Sequence, residues 1–241
     1  MENYNCELDS KKNKYRNQMI GYLLIAIILT VLVAMIQELR MDRYMDQLIF
    51  TILKEGALAV TQFPVMVADT EVIIVLSIGI MLGLVMIGWK KWAFFYFRLM
   101  FFGSLLAYIL KQLIGRPRPN ELISLNLWQL GTESISQSFP SGHVMKITFL
   151  IAFLVILYTL KMKRELPLRI LGIGGFMVIL VGLGQILNGR HFFTDVVGGY
   201  TWALAWAYGN LYIESIRKDK GIFSERKTKE RSCFKIRQWE I

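Results

Sequence analysis

The chain has 241 residues, of which 54% are hydrophobic and 19% charged, and its mean hydropathy is +0.43. In soluble domains about a quarter of the residues are charged, so this composition excludes an average soluble protein and favours a membrane protein. The formal net charge is +10, but the positive residues are spread over several connections and no nucleic-acid-binding motif accompanies them. We therefore expect no nucleic-acid partner.

Six apolar runs follow one another along the chain, each of about 17 to 20 residues and therefore long enough to cross about 30 Å of hydrocarbon as a helix. The runs are Met19–Ile36, Val72–Trp89, Trp92–Leu110, Val144–Leu160, Ile170–Leu187 and Val196–Ile213. They predict an all-α fold, a bundle of six transmembrane helices. The first run is too long for a signal peptide and no small-residue cleavage site follows it, so we expect it to be retained.

Most lysines and arginines precede the first run, follow the sixth, or lie between the second and third and between the fourth and fifth. Because cytoplasmic loops hold the excess of positive charge, both termini are predicted to be cytoplasmic. The chain then divides into a cytoplasmic segment 1–18, a membrane domain 19–213 and a basic cytoplasmic tail 214–241, which we expect to contact anionic lipids. Cys6 and Cys233 both fall on the cytoplasmic side, where a structural disulfide is not expected.

Two segments on the outer side are longer than a simple turn requires. Glu38–Asp69 is apolar in patches interrupted by charges and Pro64, which predicts a helix lying along the bilayer surface. Lys111–Gly142 is polar and joins the third and fourth runs. On this topology the two histidines of the chain, His143 and His191, lie at the same face of the membrane although they are far apart in sequence.

The stretch from Lys111 to Pro119 carries three positive charges, on Lys111, Arg116 and Arg118. A single lysine at a helix end more often extends its ammonium to the lipid headgroups. A cluster stiffened by Pro117 and Pro119 instead suits an oxyanion, since arginine binds phosphate through two parallel hydrogen bonds and lysine acts as a point charge. The cluster therefore predicts a phosphate site.

Pro140, Ser141, Gly142 and His143 precede the fourth run. The pattern is typical of a helix start with Ser141 as its N-cap. The same geometry exposes unpaired backbone amides to an anion, and Gly142 permits its close approach. His143 then lies in the first turn, where it is a candidate general acid.

His191 and Asp195 lie four residues apart at the start of the sixth run. Alone, His191 is typical of an ordinary interfacial residue. With His143 at the same face, it is a candidate nucleophile near neutral pH, and Asp195, one helical turn away, is its candidate orienting partner.

These residues, in this order and between these spans, resemble the motifs of the type 2 phosphatidic acid phosphatase superfamily, also called lipid phosphate phosphatases, in its bacterial membrane form. The matching positions are Lys111, Arg118, Pro119, Pro140, Ser141, Gly142, His143, His191 and Asp195. The resemblance covers the six-span layout.

The resemblance implies a phosphohistidine on His191, a proton donor for the leaving group in His143, and Asp195 as the partner of His191. The groups implied to hold the phosphoryl oxygens are Lys111, Arg118, Ser141 and Gly142. It implies no metal ion or cofactor, and an active site on the outer face of a cell membrane.

The third motif departs from the family pattern. It usually begins Ser-Arg, and this chain has Gly184 and Gln185 there. The missing arginine normally binds the phosphoryl group. Lys146, one turn after His143, and Arg190, next to His191, are the candidate replacements, although Lys146 is also placed to extend its ammonium to the headgroups.

The expected function is hydrolysis of a lipid phosphate or diphosphate, such as phosphatidic acid, phosphatidylglycerophosphate or a polyprenyl diphosphate. Two alternatives stay open: a lipid phosphotransferase that uses the same covalent intermediate, and a catalytically weak relative that only binds phospholipid. The sequence determines neither the lipid nor the oligomeric state.

Overall fold

The computed structural model of the protein describes residues 2–37, 39–119, 137–162 and 167–237, with side chains from residue 9 to residue 217 except 54 and 55. Within these ranges the chain is almost entirely helical. Its helices are α1 (Glu2–Met35), α2 (Arg40–Val67), α3 (Thr70–Met86), α4 (Lys90–Phe97), α5 (Gly103–Ile114), α6 (Gly142–Ile156), α7 (Leu168–Leu187) and α8 (Phe193–Arg237). Single π-helical turns, Arg98–Phe102 and Leu157–Lys161, join α4 to α5 and extend α6.

The all-α class predicted from the sequence is confirmed, and each of the six apolar runs falls on a helix or on joined helices, although the first two runs extend past the ends of α1 and α3. Four stretches of the described chain are long and apolar enough to cross a membrane: Asp9–Met35, Lys90–Ile114, Gly142–Lys161 and Leu168–Leu187. Helix α3 is apolar but shorter, with 17 residues. The sixth run forms the first half of α8.

The outward surfaces of α1, α3 and α7 are apolar. Leu24, Ile28, Val75, Leu82 and Phe176 are all more than half exposed to solvent. Many large apolar side chains exposed along several helices are typical of contact with lipid. The predicted boundaries at 18/19 and 213/214 fall inside α1 and α8, so the three-part division of the chain stays a prediction.

The segment predicted to lie along the bilayer surface forms α2, which is sharply bent. Its two arms, Arg40–Leu53 and Gly56–Val67, make an angle of 112°. If they are taken as one broken span, they form a fifth candidate crossing; the alternative is a re-entrant loop. Either way α2 packs against α7, so it is a wall of the bundle, and Asp42 in its first turn is buried.

Gly184 permits the close contact between α2 and α7. A Cβ atom at this position would lie 2.5 Å from Cγ2 of Val65 and 3.0 Å from Cβ of Thr61. A serine, the residue usual at this point of the family motif, does not fit unless α2 moves away. The departure at Gly184 therefore has a packing cause in this chain.

Aromatic contacts and side-chain hydrogen bonds hold α3, α4, α6 and α8 together. The rings of Tyr96 and Phe153 lie 4.5 Å apart in the core between α4 and α6. The hydroxyl of Tyr96 is hydrogen-bonded to that of Ser77 on α3, at 2.9 Å. Trp206 on α8 donates its indole N–H to the carbonyl of Leu99. These contacts hold α6 and α8, which begin beside the two histidines, in position against α3 and α4.

Candidate active site

The two histidines meet at one end of the bundle, where α5 ends and α6 and α8 begin. Their ring centroids are 6.3 Å apart and the rings are inclined by 64°. His143 lies in the first turn of α6, and His191 lies two residues before α8. The two histidines, which are far apart in sequence, therefore lie close together, as the predicted topology led us to expect.

His191 is buried next to Asp195. Its Nδ1 lies 3.6 Å from Oδ2 of Asp195, slightly beyond hydrogen-bond distance, and the backbone N–H of Phe192 donates to the same oxygen at 2.9 Å. Burial lowers the pKa of His191 to about 3, with the positive charge of Lys111 acting in the same direction against the partly opposing effect of Asp195. The imidazole is therefore neutral at physiological pH, as a nitrogen nucleophile requires.

The other oxygen of Asp195 is held by Arg116. Arg116 is fully buried, and its Nη1 donates to Oδ1 of Asp195 at 2.6 Å and to the hydroxyl of Thr194 at 2.9 Å. Its Nη2 donates to Oδ2 of Asp42 at 2.6 Å, and its Nε donates to the carbonyl of Gln37. The sequence grouped Arg116 with Lys111 and Arg118 as a phosphate-binding cluster, but in the structure Arg116 is fully buried and its hydrogen bonds go to other groups of the protein.

Asp42, in the first turn of α2, completes this network and was not singled out from the sequence. Its Oδ1 accepts the backbone N–H of Thr194 at 2.8 Å, and its Oδ2 accepts the Thr194 hydroxyl at 2.9 Å. Asp42 therefore attaches α2 to the first turn of α8. The sequence around Asp42 does not indicate this role, because its partner Arg116 is more than 70 residues away in the chain.

Four of the predicted phosphate ligands line one end of a cavity: Lys111, Arg118, Gly142 and Lys146. The Nζ of Lys111 donates to the carbonyl of Gln137 at 2.6 Å, beside the start of α6. The Nε of Arg118 and the hydroxyl of Ser141 are buried and have no hydrogen-bond partner among the described residues. Buried donors without partners are costly, and a bound oxyanion would satisfy both.

Ser141 occupies the N-cap position of α6, as the sequence predicts, but its side chain does not cap the helix. Gly142 follows as the first helical residue and lines the cavity. The hydroxyl of Ser141 and the free amides of the first turn are thus available to an anion.

His143 is also paired with an aspartate, Asp69. Its Nε2 donates to Oδ1 of Asp69 at 3.2 Å, and Asp69 lies in the short connection between α2 and α3. The hydrogen bond from His143 lowers the pKa of Asp69 below its ordinary value, despite its partial burial. The Nη1 of Arg190 lies 3.7 Å from the same carboxylate oxygen. Asp69 was not identified from the sequence, where it is one acidic residue at the end of an outer segment.

The two candidate replacements for the missing arginine lie beside this pair. The Nζ of Lys146 donates to the hydroxyl of Thr70 at 2.6 Å and lines the same cavity as His143. Gln185, which stands where the arginine is usual, is fully buried, and its amide atoms have no hydrogen-bond partner among the described residues. The backbone carbonyl of Gln185 accepts hydrogen bonds from the backbone N–H groups of Arg190 and His191. These bonds shape the loop on which both residues lie.

The cavity itself has a volume of about 650 Å³ and two chemically different ends. The polar end is formed by Lys111, Arg118, Gly142, His143, Lys146 and His191. The remainder runs between α3 and α5, with walls that include Ile74, Ile78, Met100, Phe101 and Ala107. Such a cavity accommodates a molecule that is anionic at one end and apolar along its length.

Comparisons with known proteins agree with this arrangement. Phosphatidylglycerophosphatase B of Bacillus subtilis (strain 168) is 34% identical over 111 residues, which are 44% of this chain and 51% of the relative. The match thus spans about half the length of that relative. A crystal structure titled as the first transmembrane PAP2 type phosphatidylglycerolphosphate phosphatase from Bacillus subtilis is similar with a TM-score of 0.62 and 21% identity, covering 85% of this chain and 97% of that one.

Residues 92–219, more than half of the chain, match the sequence profile described as the PAP2 superfamily. This range contains the predicted motifs from Lys111 to Asp195 but neither Asp42 nor Asp69. With its apolar helices and its transmembrane fold, the protein is a multi-pass membrane protein. It belongs to the PAP2 superfamily.

Proposed function

We propose that the protein is a membrane phosphatase that hydrolyses a lipid phosphate or diphosphate through a phosphohistidine on His191, without a metal ion. The observation that carries the proposal is the approach of the two histidine rings to 6.3 Å at the polar end of a cavity whose other walls are apolar. Membership of the PAP2 superfamily and the names of the two Bacillus relatives support the same reaction class.

In the first step the neutral His191 attacks phosphorus with the nitrogen that does not face Asp195. The phosphorus–oxygen bond to the leaving group breaks, and its electron pair goes to the leaving oxygen, which takes a proton from His143. Asp195, held on its other side by Arg116, keeps the ring of His191 oriented and stabilises the positive charge that develops on it.

In the second step His143 accepts a proton from a water molecule, which attacks phosphorus as the nitrogen–phosphorus bond breaks. Inorganic phosphate leaves, and His191 returns to its neutral form. Through both steps, the phosphoryl oxygens are held by Lys111, Arg118, the hydroxyl of Ser141 and the amides that begin with Gly142. Their role is electrostatic, since negative charge spreads over these oxygens in the transition state.

In this scheme Asp69 orients the ring of His143, as Asp195 orients the ring of His191. A carboxylate at 3.2 Å from Nε2 fixes the orientation of the ring and partly opposes the effect of its burial, which disfavours the protonated form that the first step requires. Lys146 and Arg190 are the proposed substitutes for the missing arginine. Lys146 lines the cavity that holds the histidines, and Arg190 lies next to His191 in the chain, with its Nη1 3.7 Å from Oδ1 of Asp69.

The substrate class follows from the cavity. Its apolar part, between α3 and α5, is proposed to hold a lipid chain while the phosphate meets the histidines. Phosphatidylglycerophosphate, phosphatidic acid and polyprenyl diphosphates all have this form. The positive-inside distribution of charges supports an active site at the outer face of a cell membrane with both termini in the cytoplasm.

The test is release of inorganic phosphate from each of these lipids by the purified protein in detergent. Wild type is expected to turn over at least one of them in the presence of a metal chelator, and His191→Ala is expected to release none. A matched control is Gln112→Ala, an exposed change beside Lys111. Lipid binding without phosphate release in wild type would indicate the catalytically weak relative. Phosphate appearing only on an added alcohol would indicate the phosphotransferase.

A further inference from the structure

A second large cavity lies at the end of the bundle away from the histidines. Its volume is about 860 Å³, and its walls come from α4, from the end of α6 with the π-helical turn after it, and from α8. Ile156, in this wall, is about 20 Å along α6 from His143 at 1.5 Å per residue, and Leu211 is about 24 Å along α8 from Asp195. The cavity is therefore separate from the candidate active site.

Positive charge dominates this cavity. Its lining includes five cationic side chains against a single carboxylate, that of Glu214. The five cations are Lys90, Lys91, Arg98, Lys161 and Arg217. Like charges gathered around a cavity repel one another, and an anion in their midst removes that cost. The site thus selects an anionic occupant.

Arg98 is the deepest of these cations and lies in the π-helical turn between α4 and α5. Its Nε donates to Oδ1 of Asn210 at 2.6 Å, which fixes the guanidinium in place. None of the described carboxylates forms an ion pair with it within 4 Å. An arginine within a membrane-spanning helix is costly unless it pairs with a charge or serves a site.

The rest of the lining is aromatic and aliphatic. Trp92, Phe94, Phe95, Leu160 and Leu211 all contribute to it. The Nζ of Lys161 lies 4.7 Å from the ring centre of Trp89, so its ammonium is held at the rim by a cation–π contact. Tryptophan and lysine side by side are typical of the depth at which lipid headgroups meet acyl chains.

We infer that this cavity binds the headgroup and upper acyl chains of an anionic phospholipid from the leaflet opposite the active site. The phosphodiester would lie among Arg98, Lys90 and Lys161, and the chains would lie over Trp92 and Leu160. A zwitterionic lipid carries its own cation and gains less from this surface. The inference is independent of the reaction catalysed at the histidines.

The test is lipid retention by the purified full-length protein, measured by native mass spectrometry together with the thermal midpoint in detergent. Phosphatidylglycerol is expected to bind and to raise the midpoint, while phosphatidylcholine and inorganic phosphate at the same concentration are not. Lys90→Ser/Lys161→Ser is expected to weaken phosphatidylglycerol binding about tenfold or more. Arg16→Ser/Arg169→Ser removes the same charge from exposed positions outside the cavity and is the matched control.

Equal binding of phosphatidylglycerol and phosphatidylcholine by wild type overturns the inference, as does failure to bind either. The inference is also overturned if Lys111→Ser/Arg118→Ser loses phosphatidylglycerol binding while Lys90→Ser/Lys161→Ser keeps it. The lipid would then occupy the cavity at the histidines. If Lys90→Ser/Lys161→Ser does not fold, Lys90→Ser/Arg217→Ser carries the same expectation and leaves the contact between Lys161 and Trp89 intact.

Discussion

Arg116 joins the predicted orienting residue Asp195 to a helix outside the family motifs. Its guanidinium lies 2.6 Å from Asp195 on one side and 2.6 Å from Asp42 of α2 on the other, and all three side chains are buried. The position of Asp195, and through it that of His191, therefore depends on the amino-terminal third of the chain.

Arg116→Met is expected to destabilise the protein strongly, because it leaves the carboxylates of Asp42 and Asp195 buried without a counter-charge. Breaking a buried ion pair in this way costs about 3 to 5 kcal/mol. The thermal midpoint in detergent is the measurement, with Arg43→Gln, an exposed change one residue from Asp42, as control. A loss no larger than that of the control would show that the network contributes little to stability.

Asp69→Asn is expected to lower turnover about tenfold to a hundredfold while changing KM little, because the protonated form of His143 loses its partner. The alkaline limb of the kcat profile should also move to lower pH. Glu71→Gln, an exposed change two residues after Asp69 in the first turn of α3, is the control for a general change in surface charge. A profile that falls uniformly without moving would assign Asp69 a purely structural role.

Lys146→Met and Arg190→Gln are each expected to reduce kcat/KM by about tenfold to a hundredfold, since each removes a positive charge near the phosphoryl group. The measurement is steady-state hydrolysis of the lipid identified in the substrate panel. If both variants kept wild-type turnover and affinity, the idea that they replace the missing arginine would be abandoned.

Ser104→Trp is expected to obstruct the apolar part of the cavity, which Ser104 lines. KM should rise for a substrate with long acyl chains and stay near wild type for a dihexanoyl analogue, whose chains do not reach as far. Leu105→Trp places the same bulk one residue away on an exposed surface that does not line the cavity. Equal effects of the two variants on the long-chain substrate would place the lipid elsewhere.

His191 is expected to make folding stability depend on pH. Its pKa is lowered by burial to about 3, whereas an unfolded histidine titrates near 6.5. Between these values the unfolded chain binds a proton that the folded chain does not, so the stability present above about pH 6.5 declines as the pH falls. His191→Asn should therefore lose less of its thermal midpoint between pH 7.5 and pH 5 than wild type. Identical losses would contradict the low pKa.

The helices and the meeting of the two histidines could be predicted from the sequence, because they depend on local sequence patterns. Apolar runs long enough to cross a bilayer predict the helices. The alternation of positive loops predicts which ends of the helices meet, and that is enough to bring His143 and His191 together. Ser141 shows the limit of such reasoning. Its place at a helix start is predictable, but whether its hydroxyl caps the helix or stays free depends on the surrounding packing.

Asp195 was predictable because it lies one helical turn from His191, but Asp42 and Asp69 could not be predicted as partners, because their contacts depend on how distant helices pack. Arg116 and Arg118 differ by two positions in one Arg-Pro repeat, yet one is buried in an ion-pair network and the other lines the cavity. Asp42 and Asp69 belong to a segment whose helix is bent, so their positions depend on the direction of each arm. Much of the polar connection between α5 and α6, residues 120–136, lies outside the described residues, as do the side chains of the basic tail beyond residue 217.

The contact of α2 with Arg116 has a practical consequence for expression of shortened proteins. A fragment that begins at residue 92, where the match to the family profile begins, would leave out Asp42, Asp69 and the whole of α3. It would retain both histidines but lack one wall of the lipid cavity and half of the carboxylate pair around Arg116. We therefore expect the motif-bearing region not to fold on its own, and chimeras between relatives should exchange the amino-terminal helices together with it.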